Sequence, residues 1–212
     1  MSKLWVAGCS IAHGVGVNKQ QRWGEILSQQ LGVEPVFLTA EGSSIEWAAD
    51  QILRADINSD DVVCWGLTTP NRSLWYSEQG QAQHILNVYY HTHPEFHIAQ
   101  RHLIDLNLAY KAVNYVQQVQ NYLNKIGSRY AIGSVLPGLS EHREIVVNSL
   151  TDTPGFFIAY DPDLIKYVDT ATFFARTRPI NNLFVDVGTD GFHPGPQQHE
   201  LYAEQFFNQL NK

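Results

Sequence analysis

Cysteine is nearly absent. Cys9 and Cys64 are the only two in 212 residues, too few for a disulfide framework or a four-cysteine zinc site. Positive charge is also scarce. Lys and Arg number 14 against 21 Asp and Glu, a formal net charge of −7. A general nucleic-acid binder needs a basic face to displace counterions from phosphates, so the balance argues against that partner, although a local basic pocket remains open. No apolar run approaches the roughly 20 residues that span a bilayer. The N-terminal Met-Ser-Lys-Leu-Trp reaches Gly8 without the apolar stretch of a signal peptide, so a cytoplasmic location is expected. Repeats, low-complexity tracts and linker-like stretches are missing too, which favours one domain over residues 1–212.

What remains is globular composition, 44% hydrophobic and 17% charged. Short apolar runs alternate with helical patterns. Leu4 to Ala7, Val36 to Leu38 and Asp61 to Trp65 read as strands, the first and third running into Gly8 and Gly66. Between them, Trp23, Ile26, Leu27 and Leu31 define a helical face over 19–31, and Gly32 suits its C-terminal end. Ser43 or Ser44 can cap a second helix reaching Ala55. A long amphipathic pattern over 98–126 predicts one long helix ending at Gly127. Further strands are expected at 130–135 and 156–160, a short helix at 163–168, and a last helix at about 197–210. The β-α-β-α-β order predicts a parallel sheet of about five strands with helices on both faces.

In such a sheet, ligands bind beyond the carboxyl ends of the strands. Four segments fall there: Gly8-Cys9-Ser10 with His13 and Gly14, Glu41-Gly42-Ser43-Ser44, Gly66-Leu67-Thr68-Thr69-Pro70-Asn71-Arg72, and Asp190-Gly-Phe-His193. Together they hold the parts of an acyl-transfer site. A serine hydroxyl is a weak nucleophile and needs a base within hydrogen-bond reach. His193 is the candidate base, and Asp190 the residue that would orient it. Backbone amides near Ser10 and Gly42 are candidate oxyanion donors.

The order and spacing of these blocks resemble the SGNH (GDSL-like) hydrolases. The resemblance implies a flavodoxin-like three-layer α/β/α fold and esterase chemistry through an acyl-enzyme. Ser10 matches the family nucleophile, Gly42 the oxyanion glycine, and Asp190 and His193 the Asp-x-x-His block before the last helix. It implies a small-molecule or carbohydrate O-acyl ester as substrate and no metal or organic cofactor. Two departures stand out. Cys9 occupies the place of the family's aspartate. The third block lacks its Gly-x-Asn, leaving Thr68 or Asn71 as the side-chain oxyanion donor. A catalytically silent binding module and an O-acyltransferase are therefore the alternatives.

The remaining candidates each carry a bland reading. Cys9 is a second possible nucleophile, on a side chain that a standard turn directs elsewhere. His13 can line the pocket but has no orienting carboxylate in sequence. Arg72 can hold an anionic substrate group or be an ordinary surface arginine. The aromatic-rich insertion at about 72–100 can place Trp75 and Tyr76 against substrate, or pack Trp75, Tyr76, Tyr89, Tyr90 and Phe96 onto the domain or a subunit contact. Phe173 and Phe174, with Arg176 and Arg178, pose the same choice. His91, His93 and His97 invite a metal reading, although Pro94 disfavours helix at His93. Oligomeric state is not legible.

Overall fold

The structure, a computed structural model, describes residues 2–70, 72–76, 82–86, 105–135, 140–159 and 184–212. Five parallel strands form the central sheet. They are β1 (Lys3–Gly8), β2 (Glu34–Thr39), β3 (Val62–Leu67), β6 (Arg129–Ser134) and β7 (Phe156–Ile158), in the order β2-β1-β3-β6-β7. A separate antiparallel hairpin pairs β4 (Arg72–Tyr76) with β5 (Ala82–Leu86). The helices are α1 (Ser10–His13), α2 (Trp23–Leu31), α3 (Ile45–Arg54), α4 (Asp105–Ile126), α5 (Ser140–Leu150) and α6 (Pro196–Leu210).

Strand periodicity sorts the core into two layers, since successive side chains leave a strand on opposite faces. Leu4 and Val6 of β1, with Val62 and Cys64 of β3, face Trp23, Leu27, Tyr202 and Phe206 of α2 and α6. Trp5, Ala7, Val63 and Trp65 face Ala49 and Ile52 of α3, Val116 and Leu123 of α4, and Leu150 of α5. This is a three-layer α/β/α arrangement. Trp23 stacks on Phe206 with ring centroids 4.4 Å apart, locking α2 to α6.

The expected elements differ from the observed ones in a few places. The pattern over 19–31 predicts one helix, but the chain breaks at Arg22, whose ψ of 135° is extended, between a 3₁₀ turn at Lys19–Gln21 and α2. Trp23 N–H leaves the helical ladder and donates to His199 Nδ1 at 3.2 Å, so a tertiary contact overrides a continuous apolar face. The expected strand at 156–160 is shorter, Phe156–Ile158. Part of the 72–100 insertion is the β4–β5 hairpin rather than loop. The expected helix at 163–168 lies outside the described residues, as does the start of the long helix before α4. Among the described residues, no helix is long and apolar enough to cross a membrane.

Candidate active site

Strand order locates the site. The chain steps from β1 outward to β2, then returns past β1 to β3 and runs the other way. The crevice beyond the carboxyl ends of β1 and β3, where this direction switches, is where open α/β sheets hold ligands. Gly8 ends β1 opposite Gly66 of β3. Its φ of +146° and the Gly66 carbonyl oxygen, 2.7 Å from where a Cβ would sit, both require glycine. That close approach delivers the chain directly into Cys9 and α1. Ser10 opens α1 and is buried, and Cys9 is fully buried.

The second segment is tied to the first. Ser43 Oγ donates to Gly8 O at 3.1 Å, and Ala40 N–H to the same carbonyl at 3.4 Å. Between them Gly42 takes a φ of +71°. Among the described residues its N–H donates no hydrogen bond. Ser44 caps α3, its hydroxyl accepting from Trp47 N–H at 3.1 Å. His13 closes α1, its Nδ1 3.1 Å from Thr39 Oγ1 at the end of β2.

From β3 comes Thr68, 5% exposed, whose Oγ1 is buried without a hydrogen-bond partner. Buried hydroxyls are normally paired, so this orphan needs an explanation. Asn71 lies outside the described residues. Arg72 opens β4 and its Nη1 donates to Ser43 O at 3.3 Å. Trp75 and Tyr76 fall on β4, their side chains outside the described set. Tyr89, Tyr90, Phe96, the three clustered histidines and the 173–178 residues also lie outside it.

The fourth segment is a tight hairpin in front of α6. Val187 and Pro194 form an isolated antiparallel bridge, and Gly188 N–H donates to His193 O at 2.8 Å. At its tip Asp190 Oδ1 accepts from the N–H groups of Phe192 and His193, both at 3.1 Å. Asp190 Oδ2 lies 2.5 Å from His193 Nδ1. Partial burial pushes the Asp190 carboxyl up, but the bonds from the His193 ring and the two amides outweigh it and hold the group below the usual carboxylate range. An ionised carboxylate only accepts, so Nδ1 carries the proton and Nε2 is the basic nitrogen.

Four hydrogen bonds that the sequence reading missed hold this hairpin. Thr189 N–H and Oγ1 both donate to Gly16 O, at 2.8 and 3.2 Å. A Cβ on Gly188 would lie 2.6 Å from that same oxygen, so the two glycines let the His193 hairpin press against the loop following Ser10. Behind it, Asp186 accepts from Gln197 N–H at 3.0 Å and Gln198 N–H at 2.8 Å, capping α6. The available signal was the glycine-rich Gly188-Thr-Asp-Gly191 run and an acid placed before Pro196. Among the described residues, no hydrogen bond joins Ser10 Oγ to the His193 ring.

No protein-family model and no curated protein sequence matches the chain. Solved structures do. A psychrotrophic esterase from Pseudoalteromonas sp., in a structure inhibited by monoethylphosphonate, is 10% identical, covering 100% of this chain and 97% of its own with a TM-score of 0.55. A member of the lipolytic G-D-S-L family from Veillonella parvula is 12% identical over 98% of this chain and 97% of its own, TM-score 0.53. A carbohydrate esterase, whose active site displays divergent catalytic and non-catalytic binding functions, is 12% identical over 100% of this chain and 68% of its own, TM-score 0.54. The chain therefore has the SGNH-type (GDSL-like) hydrolase fold.

Proposed function

We propose that the protein is a serine esterase that cleaves an O-acyl ester of a carbohydrate or small molecule. One observation carries this reading: a hydrogen-bonded Asp190–His193 pair whose hairpin is bonded to the loop that follows Ser10. The esterases among its structural neighbours support the chemistry. Ser10 Oγ attacks the ester carbonyl while His193 Nε2 takes its proton. The carbonyl oxygen becomes an oxyanion, received by the backbone amides of Ser10 and Gly42 and by the Thr68 or Asn71 side chain. Collapse expels the alcohol, which takes the proton from His193 and leaves an acyl-Ser10 ester. Water then gives a proton to His193 and attacks that ester. The acid departs and Ser10 recovers its proton. Asp190 stabilises the imidazolium in both halves.

Hydrolysis of 4-nitrophenyl acetate and of a panel of acetylated sugars tests the reading. Ser10→Ala and His193→Ala are expected to lower kcat by about 10⁴-fold or more, and Asp190→Asn by about 10²- to 10⁴-fold. Equal rates in wild type and all three variants would overturn it. A non-catalytic binding module is the second reading. It is favoured by the missing Ser10–His193 hydrogen bond among the described residues and by Thr68 in place of an asparagine. It predicts sugar binding that survives Ser10→Ala with no turnover in the wild type.

A further inference from the structure

We propose that Arg72 makes this site selective for esters bearing a carboxylate, so that the preferred substrate is an acidic sugar or small acid. The inference deepens the esterase reading by naming the charge of its substrate. Arg72 is anchored to the loop that carries Gly42. Its Nη1 holds Ser43 O at 3.3 Å, and Ser43 Oγ in turn holds Gly8 O at 3.1 Å, so the guanidinium stands two hydrogen bonds from the end of β1. Its Nε is buried and unpartnered. Among the described residues no carboxylate pairs with it. Glu46, the acid in the first turn of α3, accepts from Tyr115 Oη at 2.7 Å instead.

A partly desolvated, unpaired positive charge is costly, and a chain with a net charge of −7 has many acids with which to quench it. That no described carboxylate quenches it, two hydrogen bonds from the end of β1, makes sense if the substrate supplies the anion. A guanidinium presents five donors in a planar fork that matches a carboxylate in two parallel hydrogen bonds, and among the described residues Ser43 O takes one of them. Two further orphans stand nearby along the chain. Thr68 Oγ1 and Ser73 Oγ are both buried without partners, on residues each 5% exposed. A single guanidinium suits a singly charged carboxylate better than a phosphate dianion.

The test separates binding from turnover. Calorimetry measures the affinity of 4-acetamidobenzoate, a non-hydrolysable acetyl amide, against its neutral methyl ester. The wild type is expected to bind the acid at least about tenfold more tightly. Arg72→Gln should abolish that preference and Arg72→Lys keep part of it. Equal affinities in the wild type, or a preference that survives Arg72→Gln, would overturn the proposal. Turnover of 4-acetoxybenzoate is followed in parallel. Selective binding of the acid without turnover would overturn the esterase reading and keep this one. Turnover without charge preference, unchanged by Arg72→Gln, would do the reverse.

Discussion

Thr68 allows a direct test of what an orphaned hydroxyl is for. Its Oγ1 is buried and unpartnered, so replacing it by the isosteric valine removes an unsatisfied group, which is near neutral or stabilising. As an oxyanion donor, however, its loss should lower kcat by about 10²- to 10³-fold. Thr68→Val is therefore expected to melt no lower than wild type while turning over far more slowly. Unchanged kcat would remove Thr68 from the oxyanion hole. His199 makes a second prediction at this scale. It is fully buried, takes a hydrogen bond from Trp23 N–H on Nδ1, and leaves Nε2 without a partner. Burial, reinforced by the nearby His193 and Arg22, pushes its pKa down to about 4 against the pull of Asp186. The unfolded chain binds this proton at about pH 6.5, so the neutral ring stabilises the fold fully above that value. As pH falls from there toward 4 the contribution is lost, roughly 3 kcal/mol in all. Denaturant melts across this range should show the decline. His199→Asn, which keeps an acceptor for Trp23 N–H, should flatten it; an unchanged pH slope in the variant would contradict the assignment.

Among the elements, the hairpin before α6 joins a local pair, Asp190 and His193, to a seam with a distant loop. Asp190 and His193 were legible because their spacing is local: the pair closes within one turn and needs nothing from elsewhere. The seam that positions them was not. Gly16 and Gly188 meet across more than 170 positions, and no local pattern announces such a contact. The break at Arg22 was hidden for the same reason, since its cause is His199 on α6. The central strands were easier to read because β1 and β3 are apolar runs buried almost throughout, and β1 ends at Gly8, where a positive φ requires glycine. The seam makes a prediction of its own. Gly188→Ala puts a methyl 2.6 Å from Gly16 O, which forces the hairpin away from the Ser10 loop. Stability is expected to fall by about 1–3 kcal/mol, and kcat to fall more steeply than that loss of folded protein explains. Activity that tracks the folded fraction alone would show that the seam is structural and does not position the base.

For the whole molecule, the topology says more than any single residue. The order β2-β1-β3-β6-β7 places the reversal of strand order between β1 and β3; three chemistry-bearing segments leave β1, β2 and β3 at their carboxyl ends, and the fourth, the hairpin before α6, is bonded to the loop after Ser10. Two apolar layers hold it rigid, one around Trp23 and Phe206, the other around Trp65 and Leu123. Loops on a stiff scaffold are where binding and catalysis concentrate. At roughly one-tenth identity this scaffold is shared with esterases, so the central claim rests on Ser10 behaving as an activated nucleophile. Labelling with a fluorophosphonate, read by intact mass on wild type and on Ser10→Ala, tests that most directly. The account predicts a single adduct on the wild type that is absent from the variant. No adduct on folded wild type at high probe concentration, or an adduct that persists in Ser10→Ala, would contradict it.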